Sequence, residues 1–272
     1  MTMNRSVWLM LALGVTLAGM NDTHARDKTT AQPATAAATD DPFLWLEDIH
    51  GTRPLAWVEK ENAKTAARFA DGARFEKTRD SILEVLDSDA RIPDVNRRGD
   101  YLYNFWRDKA HPRGVWRRTT LAEYRKANPD WEVLLDVDAL NKAEDKRWVF
   151  KGTQCLKPDF NRCLISLSPD GGDAVAVREF DIPSKSFVKG GFDLPVAKTE
   201  AGWIDDDTLY VGTDFGPGTM TESSYPRIVK EWKRGTPLSS ATIVYEGKSK
   251  DLAVGAYHDR TPGFERDFVS VA

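Results

Sequence analysis

The side chains that could support nucleophilic catalysis are serines and histidines, and neither type stands in a catalytic pattern. The nucleophile of an α/β-hydrolase lies on a tight strand-to-helix turn, usually G-x-S-x-G, because the flanking glycines let the backbone turn sharply. No serine has glycine at both second-neighbour positions, including the pairs at 223–224 and 239–240. His258 precedes Asp259, but neighbours on a strand point to opposite faces, so a loop pair is favoured over a catalytic pair. The sequence therefore predicts no catalytic residue in this chain.

The acidic and glycine-rich stretches offer no ligand set for a metal or a cofactor. Three consecutive aspartates at 205–207 precede Thr-Leu-Tyr-Val and predict a hairpin turn, since a calcium loop needs oxygen ligands at alternating positions. Two cysteines cannot complete a structural zinc site, and no phosphate-cradling G-x-x-x-x-G-K-[ST] loop is present. We expect no cofactor and no metal. We also expect the tryptophans to pack in the core rather than to stack on sugar rings.

The composition is that of a soluble globular chain, with 41% hydrophobic and 29% charged residues. The net charge is −4 and the isoelectric point is about 5.7, so no global positive field exists to attract nucleic acid. Two short basic pairs, at 97–98 and 117–118, stand among strand-like residues. We interpret both pairs as solvated strand edges rather than as a phosphate-binding patch.

The amino terminus has the three-part pattern of a secretory signal peptide. Arg5 precedes an uncharged apolar run from Val7 to Met20, and a small residue, Ala25, ends the segment. As a helix, this run reaches only about 21 Å, short of the roughly 30 Å hydrocarbon core, so a stable membrane span is disfavoured. Residues 1–25 are therefore predicted to be a signal peptide cleaved near Ala25, which makes the protein periplasmic or secreted. An uncleaved anchor is the alternative.

Export changes the interpretation of the two cysteines. Cys155 and Cys163 are separated by turn-forming residues, including Pro158 and Asn161. An oxidising compartment allows a local disulfide between them, and closing so short a loop contributes roughly 2–3 kcal/mol in the chain-entropy model. We favour the disulfide, with two free buried thiols as the alternative.

The rest of the chain divides by its periodicity. Residues 26–40 contain no large apolar side chain and predict a flexible linker. Residues 41–90 form a predicted helical lead-in, with two amphipathic helices within 52–88. From 91 to 272 many short antiparallel strands predict a mainly β fold, either a sandwich, a barrel or a propeller. The predicted strands are Tyr101–Trp106, Val115–Leu121, Glu132–Leu135, Arg147–Phe150, Arg162–Leu167, Ala174–Phe180, Thr208–Gly212, Pro226–Trp232, Thr242–Tyr245 and Leu252–Tyr257.

Two motifs at the start of the lead-in carry a family resemblance. The segment 41–48 reads DPFLWLED, and Trp57-Val58-Glu59 with Asn62 follows it on a predicted helix. Together they resemble the N-terminal signature of the prolyl oligopeptidase family of serine peptidases. The strand segment 101–108, YLYNFWRD, and the turn segment 166–172, SLSPDGG, are also similar to bacterial members. The likeness extends from about residue 41 to the end of the chain.

This resemblance implies a two-domain serine peptidase that cleaves short peptides, often after proline. In the family a seven-bladed β-propeller caps an α/β-hydrolase domain, and the central channel admits only small substrates. The resemblance also implies that the catalytic Ser, Asp and His lie in the hydrolase part, which follows the propeller. These 272 residues are expected to hold the helical lead-in and two or three blades of an incomplete propeller, so no catalytic residue is carried over.

The function expected from the resemblance is that of the substrate-gating propeller region of a serine endopeptidase. Its partners would be short peptides and the missing α/β-hydrolase domain, and the chain alone is expected to be inactive. One alternative is a non-catalytic exported β-protein that binds peptides or a partner protein. Another is an exported carbohydrate-binding propeller.

Overall fold

The structure, a computed structural model, describes residues 41–88 and 90–272. The predicted signal peptide (1–25) and linker (26–40) lie outside the described residues. The chain divides between Ala70 and Asp71 into two compact units. No helix in the described part of the chain is both long enough and apolar enough to cross a membrane.

Two helices occupy the stretch in which the sequence predicts them. In the first unit, a 3-10 helix at Leu44–Glu47 precedes α1, which spans Thr52–Phe69. In the second unit, α2 spans Ala73–Asp87. Gly72 precedes α2 with a φ of 96°, a left-handed conformation that favours glycine. The exposed large apolar side chains of the two helices are Leu55, Trp57, Val58, Phe69, Phe75, Ile82, Leu83, Val85 and Leu86.

The aromatic residues of the two N-terminal motifs contact each other. The Trp45 and Trp57 rings pack edge to face with their centroids 6.2 Å apart. The Arg53 guanidinium lies 4.1 Å from the centroid of the Trp45 ring, at a distance typical of a cation–π contact. The spacing of the two motifs thus brings the 3-10 helix and α1 together through their tryptophans.

The β region opens with a four-stranded antiparallel sheet in which strands adjacent in sequence are adjacent in space. A short helix follows each of the last two strands, and each helix begins at a side chain that caps it. Thr120 accepts a hydrogen bond from the Glu123 N–H, and Asp136 accepts one from the Ala139 N–H. The elements are β1 (Asn96–Arg98), β2 (Tyr101–Trp106), β3 (Val115–Thr120), α3 (Leu121–Tyr124), β4 (Glu132–Asp136) and α4 (Val137–Glu144).

The second sheet has five antiparallel strands, of which the central one pairs with three others. Its strands are β5 (Trp148–Cys155), β6 (Arg162–Pro169), β7 (Val175–Asp181), β8 (Ser186–Phe187) and β9 (Asp193–Ala197). In this order β5 lies at one edge, and β8 and β9 both pair with β7. This sheet supplies residues to two of the three cores of the second unit.

A third sheet and a hairpin complete the described part. The third sheet runs β10 (Glu200–Asp205), β11 (Thr208–Gly212), β12 (Ile228–Lys233) and β13 (Thr242–Glu246). The hairpin consists of β14 (Val254–Asp259) and β15 (Arg266–Val271). Within the described residues β15 pairs only with β14, so one of its edges has no partner strand.

Three apolar clusters join the successive sheets. The cluster between the first and second sheets includes Trp116 and Phe180. The cluster between the second and third includes Phe192 and Trp203. A smaller one, with Tyr210 and Val254, joins the third sheet to the hairpin. Each sheet therefore packs face to face on the next in chain order, as blades of a propeller do.

The mainly β, blade-like architecture predicted from the sequence is confirmed, with three sheets and the first two strands of a fourth. The sequence-based list of strands missed β1, β8, β9, β10 and β15. Two residues in β8 are too few for a two-residue period to be visible, and Pro195 interrupts the pattern of β9. The segment predicted as one strand from Val115 to Leu121 ends at Thr120, because Thr120 caps α3.

Candidate functional site

The first strands of the four sheets lie side by side and form a shared surface. Arg98 on β1 donates to the Thr153 Oγ1 on β5 at 2.9 Å. Trp203 Nε1 on β10 donates to the Gln154 carbonyl on β5 at 3.0 Å. Arg260, which directly follows β14, donates to the Trp203 carbonyl at 3.2 Å. We call the exposed part of β1, β5, β10 and β14 the inner-strand surface.

The inner-strand surface carries charges of both signs. Its exposed charged side chains are Arg97 on β1, Lys151 on β5, and Glu200 and Asp205 on β10, and Tyr257 on β14 is exposed as well. These side chains offer hydrogen-bond donors, acceptors and one aromatic ring. The surface is therefore polar and differs from the mostly apolar lining of a typical small-molecule pocket.

The two cysteines form the disulfide that the sequence analysis favours. Cys155 on β5 and Cys163 on β6 are directly opposite each other in the strand register, and their Cα atoms are 3.9 Å apart. Cys163 is fully buried in the core between the first two sheets, while Cys155 is half-buried at the end of β5. The bond therefore joins the inner strand of the second sheet to its neighbour.

A buried carboxylate connects the second sheet to the third. The Glu179 side chain on β7 is fully buried, and its two oxygens accept from both Nη atoms of Arg234 at 2.7 and 3.0 Å. The Phe192 N–H also donates to Glu179, at 2.9 Å. The Glu179 carboxylate raises the pKa of Arg234 above its ordinary value, and burial opposes this shift. This two-pronged ion pair holds neighbouring sheets together, and sequence reasoning missed it.

The aspartates at 205–207 form the predicted hairpin turn between β10 and β11. Asp207 Oδ1 lies 2.9 Å from Arg234 Nε, so the turn takes part in the same inter-sheet contact. Among the described residues no cluster of His, Cys, Asp and Glu side chains has the arrangement of a metal site.

The interpretation of the basic pair at 117–118 as a solvated edge was wrong. Arg118 Nε donates to Glu132 at 2.6 Å, and only 14% of the Arg118 side chain is exposed. Arg117 lies between the Trp106 and Trp131 rings, 4.6 and 4.2 Å from their centroids. Both residues lie on β3, which has a partner strand on each side. The aliphatic parts of the two arginine side chains are therefore covered by the sheet rather than by solvent.

The ion pair at Arg118 shifts the ionisation of both partners. Burial alone would lower the pKa of Arg118, but its hydrogen bonds to Glu132 and Tyr103 hold that pKa above its ordinary value. The bond from Arg118 lowers the pKa of Glu132, and a second bond from Lys185 acts in the same direction. The first sheet therefore carries a charged contact that is stable across neutral pH.

The prediction of a loop pair at His258 and Asp259 was also wrong, since both residues lie on β14. The partner of His258 is Asp267 on β15, whose Oδ1 is 2.8 Å from His258 Nδ1. Burial, together with a hydrogen bond to Asp267, raises the pKa of Tyr210 to about 12. This cluster of three side chains fastens the hairpin to β11.

A second histidine–aspartate contact shapes the turn after β2. Asp108 accepts from the His111 N–H at 2.7 Å and from Trp106 Nε1 at 3.1 Å, and its Oδ1 is 3.0 Å from His111 Nδ1. Burial alone would raise the pKa of Asp108, but these hydrogen bonds lower it below its ordinary value. No hydrogen bond between described residues joins a histidine to a serine, so the geometry assembles no nucleophile–base pair.

The comparison with known proteins gives the class to which this arrangement belongs. A profile for the family described as prolyl oligopeptidase, N-terminal beta-propeller domain, matches residues 22–261. This is the architecture of successive sheets that the chain shows. The chain belongs to the prolyl oligopeptidase family and forms part of its N-terminal propeller domain, so the resemblance seen in the sequence is confirmed.

The curated relatives are much longer than this chain. An uncharacterized peptidase of Sinorhizobium fredii is 43% identical over 215 residues, which cover 78% of this chain and 30% of that protein. An uncharacterized peptidase of Rickettsia prowazekii is 32% identical over 222 residues, again 78% of this chain and 30% of the relative. The chain thus spans about 30% of the length of the curated relatives it matches.

Solved structures agree with the fold. A post-proline cleaving enzyme from Rickettsia typhi matches with a TM-score of 0.74 and 32% identity, over 78% of this chain and 32% of that chain. Oligopeptidase B from Leishmania major matches with a TM-score of 0.63 and 17% identity, over 85% and 31% of the two chains. At that lower identity the second match supports the fold alone.

Proposed function

We propose that this chain is the substrate-gating propeller region of an exported serine endopeptidase that acts on short peptides. A catalytic Ser, Asp and His would come from an α/β-hydrolase domain beyond these 272 residues. The observation that carries the proposal is the side-by-side placement of the inner strands β1, β5, β10 and β14. That placement leaves a polar surface along which an extended peptide makes contact, while a folded protein is too wide to follow it.

The Rickettsia typhi protein that is 32% identical to this chain is a post-proline cleaving enzyme. We propose the same preference here as the first one to assay. A chimaera tests it, in which residues 41–261 replace the matching segment of the Rickettsia typhi enzyme. The expected result is hydrolysis of a proline-containing reporter peptide by the chimaera and none by this chain alone. Turnover by this chain alone, abolished by a serine-directed inhibitor, would overturn the proposal.

Charge-reversal variants of the chimaera test the inner-strand surface, and a charge reversal outside that surface is the matched control. Lys151→Glu and Glu200→Lys alter exposed charges on β5 and β10, whereas the charge reversal Lys233→Glu lies on the exposed end of β12, away from the inner strands. We expect the first two to change KM for charged short peptides and the third to leave it unchanged. Equal effects of all three would contradict a role for the inner-strand surface.

Export is proposed from the signal-like segment, and the disulfide supports it, because disulfides persist in oxidising compartments. The test is the mass of the protein recovered from a periplasmic fraction. A mature chain beginning near Arg26 agrees with the proposal, and an uncleaved chain in the cytosolic fraction contradicts it.

A further inference from the structure

The guanidinium of Arg98 is half-buried beside the disulfide and has no carboxylate partner in the described part of the chain. Its Nη1 is 2.8 Å from Cys155 Sγ, and its Nη2 donates to Thr153 Oγ1 at 2.9 Å. Among the described residues no Asp or Glu oxygen lies within ion-pair distance of Arg98. Burial lowers the pKa of Arg98, and its interaction with Tyr103 only partly opposes that shift. A neutral disulfide sulfur is a weak acceptor, so the cation is poorly compensated.

The two sulfurs differ in their access to solvent. Cys163 is fully buried, and the Phe160 carbonyl oxygen lies 3.8 Å from its Sγ. Cys155 is half-buried and lines a surface cavity of about 260 Å³. A small molecule from solvent therefore meets the Cys155 sulfur first.

The cavity at Cys155 carries an excess of basic side chains. Lys157 lines it from the turn after β5, and His258, Asp259 and Arg260 line it from β14 and the residue that follows. Counting Arg98 beside the disulfide, three permanent cations and one histidine of the described residues lie in this region, against Asp259 in the cavity lining and Asp267, which pairs with His258. This excess of positive charge favours an anionic small molecule over a neutral or cationic one.

We propose that Cys155 is a thiol-exchange site, open to small anionic thiols, at which Arg98 stabilises the thiolate of Cys155. In the first step the thiolate of the small molecule attacks Cys155 Sγ. A mixed disulfide forms, the Cys155–Cys163 bond breaks, and Cys163 leaves with the electron pair and takes a proton from solvent. In the second step another thiolate attacks the small-molecule sulfur of the mixed disulfide, and Cys155 leaves as a thiolate beside Arg98. The protein gains two electrons, and two small thiols become one disulfide.

The asymmetry of the two sulfurs sets the order of these steps. Because Cys163 must leave into an apolar core, its expulsion is the slow step, and the buried thiol re-attacks the mixed disulfide unless the small thiol is in excess. In the second step the Cys155 thiolate is the better leaving group, because the Arg98 guanidinium stabilises its negative charge. Cys155 is thus the exchanging sulfur and Cys163 the resolving one.

Two single variants of the full chain separate the two thiols. Cys163→Ser leaves Cys155 as a free thiol beside Arg98, and Cys155→Ser leaves only the buried Cys163. Both lack the disulfide, so each controls for the loss of the other's crosslink. At pH 6 we expect the anionic reagent dithiobis(nitrobenzoate) to react with Cys155 about threefold faster in the native state than in urea, because the guanidinium beside the sulfur raises the thiolate fraction, while a thiolate of lower pKa is a weaker nucleophile. Cys163 should react more slowly in the native state than in urea.

Arg98 is tested by its effect on the pH–rate profile in the Cys163→Ser background. Arg98→Gln should move the midpoint of that profile towards about 8.5, while Arg98→Lys should keep most of the shift.

If either cysteine variant loses its native fluorescence, the wild-type chain is treated with 2-mercaptoethanesulfonate, quenched in acid and digested. An adduct on Cys155 alone supports the proposal. An adduct on Cys163, or a pH profile that Arg98→Gln leaves unchanged, overturns it.

Discussion

Loss of the Arg234 guanidinium should destabilise the second unit strongly, because the Glu179 carboxylate would remain buried without its main partner. In Arg234→Met the donors of the described residues that still face that carboxylate are the Phe192 N–H, at 2.9 Å, and Arg162, at 3.5 Å. Breaking a buried ion pair by removing one partner costs about 3–5 kcal/mol. Since 28% of the Arg234 side chain is exposed, water can partly solvate the site, and we expect the lower end, about 3 kcal/mol.

Urea unfolding followed by tryptophan fluorescence measures this loss, since Trp203 and Trp232 lie in the affected core. For a slope of about 1–3 kcal/mol/M, a loss of about 3 kcal/mol lowers the midpoint by about 1–3 M. The matched control is Arg147→Met. It removes an ion pair of similar length, 2.9 Å to Asp170, in which both side chains are more than half exposed, and its midpoint should hardly move.

A double variant separates the cost of an unpaired charge from the net contribution of the pair. Glu179→Met combined with Arg234→Met replaces both charged groups by apolar ones, so no carboxylate is left buried. We expect this double variant to be more stable than Arg234→Met alone. Equal midpoints for Arg234→Met and Arg147→Met, or a double variant less stable than the single one, would refute the reasoning.

Three further outcomes follow from other contacts. Replacing both Cys155 and Cys163 by alanine should lower the free energy of unfolding by about 2–3 kcal/mol, measured by urea titration against the oxidised chain. Asp108→Asn should reduce stability at neutral pH, and the difference should begin to shrink below about pH 4: hydrogen bonds lower the folded pKa of Asp108, so its contribution is fully present above the unfolded value and is lost as pH falls through the folded one. An unchanged difference at pH 2 would contradict that assignment. Phe268→Lys on the unpaired edge strand should slow aggregation measured by light scattering, whereas Phe69→Lys on α1 should not.

Local patterns were enough to predict the class of fold. The aromatic alternation of Tyr101–Trp106 identified β2, and Asp-rich or Gly-rich turns separated most of the later strands. The DPFLWLED segment and the following Trp57 identified the family, because the tryptophans of these motifs and the spacing between them are specific to it.

Contacts between distant positions were beyond sequence reasoning. Glu179 and Arg234 are 55 residues apart, and nothing in either neighbourhood marks them as partners. Arg118 was misinterpreted because a basic residue in a strand pattern reads as solvent-facing, whereas the register places it opposite Glu132. His258 was paired with its neighbour in sequence, while the hairpin register sets it opposite Asp267. In each case the partner was sought among neighbours in sequence, whereas strand pairing in the sheet determines it.

The central claim is that the propeller region selects substrates by size, and the chimaera with the Rickettsia typhi enzyme tests it most directly. The measurement is kcat/KM for an eight-residue proline-containing peptide, divided by kcat/KM for a folded protein that displays the same eight residues in a surface loop. The account predicts a ratio far above one, and it predicts that the ratio falls when the Glu179–Arg234 contact between the second and third sheets is broken by Arg234→Met. A ratio close to one for the intact chimaera would contradict the account.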